Sequence, residues 1–295
     1  MARPFDPTTK RVWALPDLPE RAADSHKGDY GRVLVVAGST GMAGAAWLAS
    51  QGALRAGSGL VTCACPESVW PSLSASFACV MTAPMPAVPD GGLSEAALAP
   101  LRKRVAEADV LCLGPGLGKG EGAARVVRTL LAELKIPAVV DADALSALAP
   151  DRAALAGLKG LGVLTPHPGE MGRLLGVEVS AVQADRRAAA KGFAERHGLV
   201  VVLKGHGTVV TDGKRLAVND TGNPGMATAG TGDVLSGLIA GLMAQGLPPF
   251  EAAYLGAHLH GAAGDLAAKA KGQHAMIATD LLECLPEALL RHSRR

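Results

Sequence analysis

The sequence predicts an α/β fold: a mostly parallel sheet with helices on both faces. Short apolar runs rich in Val, Leu and Ala recur without polar alternation, the pattern of strands buried on both sides. Longer alanine-rich segments with apolar residues at helical spacing lie between them, and strand, helix, strand repetition favours parallel pairing. Glycine is dense, 37 of 295 residues, and gathers just after the predicted strands.

Taken in order, Arg32–Ala37, Leu60–Ala64, Val110–Leu113, Ala138–Asp141, Val163–Thr165 and Leu199–Leu203 read as buried strands. Gly44–Ala56, Glu121–Leu134 and Ala181–His197 read as helices. Thr208–Thr211 and Arg215–Val218 flank Asp212-Gly213, the dipeptide of a tight hairpin. Three helical segments follow: Asp233–Gln245, Phe250–Ala270 and Thr279–Arg291. No fixed-period repeat and no polar linker divides the chain. The expected layout is an N-terminal extension over residues 1–24 and one domain over 25–292.

Composition narrows the function classes. With 48% apolar residues and 29 basic against 27 acidic side chains, a chain of this length buries roughly three quarters of its unfolded surface as a single domain. The near-neutral balance lacks the basic stripe that contacts a phosphate backbone, so no nucleic-acid partner is expected. Five cysteines show no zinc spacing and read as buried free thiols of a reducing compartment. No apolar stretch approaches the ~20 residues of a membrane span. Met1 to Asp24 carries Pro4, Pro7, Pro16 and Pro19 and no secretory core. A cytoplasmic enzyme is expected.

Several glycine clusters sit where open α/β sheets bind ligands, at the carboxyl ends of strands. Gly38-Ser-Thr-Gly41-Met-Ala-Gly44 opens a helix but has neither the spacing nor the following acidic residue of a dinucleotide fingerprint. Gly114-Pro-Gly-Leu-Gly118 lets main chain approach a ligand, or simply turns. Around His167, in Thr165-Pro-His-Pro-Gly-Glu170, two prolines hold the ring in a set direction. Lys204-Gly-His-Gly-Thr208 ends a strand; its lysine either meets phosphates or is a solvated strand end.

Asn223-Pro-Gly-Met-Ala-Thr-Ala-Gly230-Thr-Gly232-Asp233-Val-Leu-Ser-Gly237 carries the strongest signal. Gly230 and Gly232 free three or four amides to converge, and a helix expected from Asp233 points its positive end at the same place. A carboxylate there repels the anion that the amides attract, unless it takes a proton from a hydroxyl attacking phosphorus. The plain alternative is that Asp233 caps the helix.

Gly-Thr-Gly-Asp late in an α/β domain, after a Lys-Gly-x-x-Thr loop, resembles the ribokinase-like superfamily. One branch is closer. Lys27-Gly-Asp-Tyr-Gly31 leading to Val33-Leu-Val-Val-Ala-Gly38-Ser39, then Gly114–Gly118, Asp141-Ala-Asp143-Ala144-Leu145, Thr165–Glu170 and Gly222–Gly237, is similar to the ADP-dependent NAD(P)H-hydrate dehydratases over about residues 25 to 290.

The resemblance implies a ribokinase-like three-layer sandwich and a lyase reaction. The S epimer of hydrated NADH or NADPH is restored to the reduced dinucleotide while ADP becomes AMP and phosphate. It also implies Asp233 as the base and Gly230, Thr231 and Gly232 as the phosphoryl hole. Lys204, Gly205, His206, Gly207, Thr208 and Gly232 would meet the AMP portion, and Ala45, Gly118, His167 and Asp233 the hydrate. The choices among Ala43, Ala45 and Ala46 and between Gly116 and Gly118 stay open. Mg²⁺ is implied with ADP as co-substrate; no carboxylate pair identifies its ligands, and Glu170 is a candidate. Many relatives carry an N-terminal epimerase; with about 24 residues before the first block, a separate epimerase partner is expected here. A homo-oligomer is expected from the family alone. The rival reading is a ribokinase-like kinase acting on a vitamin-precursor alcohol.

Overall fold

The computed structural model describes residues 9–294, so the first part of the 1–24 extension lies outside the described residues. Among the described residues ten strands form one sheet: β1 Lys10–Arg11, β2 Arg32–Val36, β3 Leu60–Pro66, β4 Met81–Met85, β5 Val110–Leu113, β6 Ala138–Val140, β7 Gly162–Leu164, β8 Val200–Leu203, β9 Val209–Thr211 and β10 Arg215–Val218. Their spatial order is β1-β10-β9-β8-β7-β6-β5-β2-β3-β4. From β8 to β4 every neighbouring pair is parallel. Only β9 runs against its neighbours, in the hairpin foreseen at Asp212-Gly213.

Alternate residues of each strand feed different cores. Val33 and Val35 join one apolar cluster, Leu34 and Val36 the other. The first core is covered by α1 Ala43–Arg55, α2 Trp70–Ser76, α9 Thr231–Ala244, α10 Pro249–Lys271 and α11 Ala278–Ser293. The second lies under α3 Leu98–Ala106, α4 Glu121–Ala132, α5 Ala142–Leu148, α6 Pro168–Leu175, α7 Val179–Ala184 and α8 Arg186–His197. Both faces of the sheet are therefore dry, which is why its strands carry no polar alternation.

The differences from expectation have local causes. The segment 181–197 is two helices, because Asp185 leaves helical geometry (φ −152°, ψ 82°) and its carboxylate accepts from the Ala188 amide to start α8. Edge strand β1 is only two residues long and polar, and β4 carries Pro84 with exposed positions among its buried ones, so neither reads as a buried run. Cys79 is exposed and Cys284 half-buried, whereas Cys63, Cys65 and Cys112 are buried as expected.

Close helix packing sets the position of α9. A Cβ on Gly237 would overlap the Ala49 carbonyl oxygen of α1, and one on Gly52 would stand 2.5 Å from the Val234 carbonyl oxygen. Both contacts are with main chain, which has no rotamer to yield. Gly237→Ala is expected to cost about 1–3 kcal/mol of stability through overpacking, read as a lower urea midpoint; an unchanged midpoint would contradict this contact.

Candidate active site

The helix with the glycine-rich lead-in begins at Thr231, two residues earlier than expected, with Gly230 as its N-cap in a left-handed conformation (φ 91°). Asp233 therefore does not cap the helix; it stands in the first turn. The amides of Thr231, Gly232 and Asp233 have no carbonyl one turn behind them, so they form the positive end of α9. The Thr231 hydroxyl donates toward the carbonyls of Met226 (3.0 Å) and Thr228 (3.1 Å), which folds the lead-in against the helix. His260 on α10 lies 2.8 Å from the Thr231 carbonyl through Nε2. Burial holds His260 neutral, its pKa pushed down to about 4, and because a carbonyl only accepts, Nε2 carries the hydrogen.

A cleft of about 660 Å³ opens beside this turn. Lys204, Gly205, His206, Gly207, Thr208, Thr231 and Gly232 all line it. The five residues from Lys204 to Thr208 thus share one wall, and the start of α9 forms another. Arg186, which no sequence motif singles out, braces the first wall. Its guanidinium donates to the carbonyls of Leu203 (2.8 Å), Lys204 (2.9 Å), His206 (2.5 Å) and Gly207 (3.3 Å). The opposite rim runs from Asn219 to Ala227, and Asp265 of α10 fixes it by accepting from the Gly222 amide and the Asn223 side chain, both at 3.0 Å.

Behind Gly232 lies a second group of residues, mostly acidic. Lys204 Nζ is 2.8 Å from Asp141 Oδ1 and 3.9 Å from Glu170 Oε2. A Cβ on Gly232 would stand 3.3 Å from that Nζ and 3.9 Å from Asp141 Oδ2, so the pair sits against the first turn of α9. The lysine is not the solvated strand end allowed by the sequence. Burial alone would lower its pKa, but Asp141, Glu170 and Asp233 outweigh it and hold Lys204 above the usual lysine value. Burial, aided by Asp141, pushes the Asp233 carboxyl up to about 7. A carboxyl of that kind exchanges protons at neutral pH.

The remaining predicted residues form the far side of the same region. The Gly118 amide donates to Asp143 Oδ2 at 2.9 Å, and Asp143 acts on Asp233 as a like charge. A Cβ on Gly116 would stand 2.8 Å from Ala45 Cβ, so the loop after β5 packs on the first turn of α1 there. The Ser39 hydroxyl donates to the Gly116 carbonyl at 2.9 Å. His167 is the N-cap of α6: its Nδ1 accepts from the amides of Gly169 (3.0 Å) and Glu170 (3.3 Å), and Nε2 is 3.5 Å from Glu170 Oε1. Burial and the nearby Lys204 lower its pKa. With Nδ1 committed as an acceptor, a neutral His167 presents an Nε2–H donor at a half-exposed position.

The donor set offers magnesium no cage. Asp141 is committed to Lys204, and Glu170 accepts from the His167 amide at 2.8 Å while facing Lys204. Among the described residues no group of three His, Cys, Asp or Glu side chains is arranged to hold an ion.

Residues 33–287 match the family model described as NAD(P)H-hydrate dehydratase. A bifunctional NAD(P)H-hydrate repair enzyme of Moorella thermoacetica is 53% identical over 280 residues, covering 94% of this chain and 53% of that protein. An ADP-dependent (S)-NAD(P)H-hydrate dehydratase of Neisseria meningitidis serogroup B is 43% identical over 258 residues, covering 85% of this chain and 82% of the other. The chain spans about half the length of the bifunctional relatives it matches. The crystal structure of an ADP/ATP-dependent NAD(P)H-hydrate dehydratase from Bacillus subtilis, co-crystallized with ATP/Mg²⁺, superposes with a TM-score of 0.78 at 32% identity, covering 94% of this chain and 95% of that one. The expected ribokinase-like three-layer sandwich is the fold observed.

Proposed function

The chain belongs to the NAD(P)H-hydrate dehydratase family, and from that premise we propose that it is a hydro-lyase that dehydrates the S epimer of hydrated NADH and NADPH at the expense of ADP. The observation that carries this reading is Asp233: a carboxylate with a raised pKa in the first turn of α9, beside three helix-end amides. The nucleotide occupies the cleft, its AMP portion along Lys204, Gly205, His206, Gly207, Thr208 and Gly232. The hydrate lies across Ala45, Gly118 and His167, on the Asp143 side of Asp233.

Hydroxide is a poor leaving group from the hydrated ring, and phosphate is a good one. The ring hydroxyl attacks the terminal phosphorus of ADP, Asp233 takes its proton, and the bond to AMP breaks. Charge building on the migrating phosphoryl group is met by the amides of Thr231, Gly232 and Asp233. The ring nitrogen lone pair then expels phosphate, and loss of a proton from the adjacent ring carbon restores the double bond. Hydrated NADPH and ADP become NADPH, AMP and phosphate. Magnesium would take its ligands chiefly from nucleotide phosphates and would withdraw charge from them.

The deciding experiment incubates the protein with hydrated NADPH and either ADP or ATP. Expected is recovery of the near-ultraviolet absorbance of the reduced ring, with AMP formed when ADP is supplied. A stable phosphorylated alcohol accumulating without that absorbance would overturn the reading in favour of a kinase. Arg186 supplies a second check. Arg186→Met removes donors from the loop carbonyls and is expected to weaken ADP binding about tenfold with little change in affinity for the hydrate, measured by calorimetry; a loss on both sides alike would refute its part in shaping the nucleotide wall.

Residues 25–292 act as one catalytic domain in this reading. Because only the S epimer is consumed in this reading, an epimerase activity supplies it from the R form. In this reading the enzyme is cytoplasmic and, as the family resemblance implies, homo-oligomeric.

A further inference from the structure

We propose that Asp141 is a positioning residue that anchors Lys204 between the nucleotide cleft and Asp233, so that the lysine cannot collapse onto Asp233 and the reacting carboxylate stays free to accept a proton. This rests on the role assigned to Asp233 above. Asp141, Glu170 and Asp233 compete for a single ammonium here, and geometry decides which receives it. Asp141 wins at 2.8 Å, Glu170 stands off at 3.9 Å, and the lysine passes beside Gly232, the residue next to Asp233.

The anchor is built rigidly. Asp141 is 1% exposed, and its amide donates to the Leu113 carbonyl of β5 at 3.0 Å, which continues the sheet one residue past β6. Ala142, directly after it, is the one non-glycine residue with positive φ among those described (φ 50°). Such a conformation costs an alanine about 1–2 kcal/mol, so surrounding structure must enforce it. It turns the chain from β6 into α5 and sends the neighbouring acids to different partners: Asp141 to Lys204, and Asp143 to the Gly118 amide. Lys204 is fixed from its own side by its amide, which donates to the Pro166 carbonyl at 2.9 Å.

The charged and titratable groups facing Asp233 come from several elements: Asp141 after β6, Asp143 on α5, Glu170 on α6, Lys204 after β8 and Cys112 on β5. Only Lys204 is cationic. Removing the Asp141 charge takes a like charge from Asp233 and also releases the cation toward it. Both effects favour ionised Asp233, which becomes a weaker base.

The test follows the Asp233 carboxyl by carbon NMR in protein labelled at aspartate carboxyls, with Asp233→Asn identifying its signal, alongside pH profiles of turnover. In Asp141→Asn the Asp233 midpoint and the acid limb of kcat should move at least about one pH unit toward acid, with kcat lower about tenfold. Asp141→Glu, which keeps the charge, should return both most of the way. Lys204→Gln, which removes the cation and leaves the acids, should move the midpoint the other way. A merely structural Asp141 would lower turnover equally at every pH and leave the midpoint in place, overturning the proposal. Should Asp141→Asn fail to fold, the Lys204→Gln midpoint decides: an alkaline shift supports the anchor, and an unmoved or acid-shifted one refutes it. A wild-type enzyme that leaves the hydrate untouched would sink the functional reading, while the NMR midpoints would still decide this one.

Discussion

Asp233→Asn is expected to lower kcat by about 10²–10⁴-fold while ADP affinity changes less than about threefold, because the amide nest and the cleft walls survive the substitution. The amide cannot take the hydroxyl proton, yet it fills the same space at the same turn of α9. The pH profile should change with it. A base with a pKa of about 7 makes kcat/KM fall tenfold per pH unit below that point, and the limb should disappear from the residual activity of the variant. Stability should move in the opposite direction. The folded protein holds a proton on Asp233 up to about pH 7, whereas an unfolded aspartate releases it near 3.9. Between those values the native state binds more protons than the unfolded state, so this residue's contribution to stability falls as pH rises and is fully unfavourable above 7. Asn carries no such cost. The variant should therefore unfold on the order of 1–4 kcal/mol later than its parent at pH 8, a gain that fades as pH drops toward 4. Parent-like turnover, or a gain that does not depend on pH, would remove Asp233 from the proposed role.

Much of the sheet was legible because its central strands are buried twice over. Leu34 faces one core and Val35 the other, so an unbroken apolar run was the only pattern available to them. The edges were not legible for the opposite reason: Lys10–Arg11 pairs on one side only, and Pro84 lies within β4. At the site, Lys204 and the turn ending in Asp233 announced themselves through glycine spacing, since close approach of main chain leaves a trace in residue type. Asp141 stood in a recognisable block, but its role depends on Lys204, 63 residues further on, and pairing at that range writes no local pattern. Arg186 was invisible for a related reason. Its partners are four carbonyls, which every residue possesses whatever its side chain.

Gly230→Val should produce the other large loss, and it separates the proposed phosphoryl hole from the rest of the proposed nucleotide site. Gly230 is the N-cap of α9 at φ 91°, a conformation that a β-branched residue resists. A Cβ there would also collide with Leu48 Cδ1 of α1 and stand 3.1 Å from Ala278 Cβ of α11. Leu48 has rotamers with which to yield, but the backbone angle has no such relief, so the first turn of α9 must open. Its amides then no longer point at one place. The expected cost is about 2–4 kcal/mol of stability, combining left-handed strain with overpacking, and about 10²–10³-fold in kcat/KM from the lost amide donors. The nucleotide pair is diagnostic. AMP lacks the phosphoryl group that these amides would hold and should bind within about threefold of the parent, because the Lys204–Thr208 wall, braced by Arg186, is untouched. ADP carries that group and should weaken by about 10–100-fold, the loss of one or two hydrogen bonds to a charged partner. Calorimetric titrations with both nucleotides would read the ratio directly. If ADP and AMP weaken together, the amides of α9 do not hold the transferring group and the damage lies in the cleft as a whole. If the ratio changes as expected while Asp233→Asn leaves it alone, capture of the phosphoryl and removal of the proton belong to different parts of one helical turn.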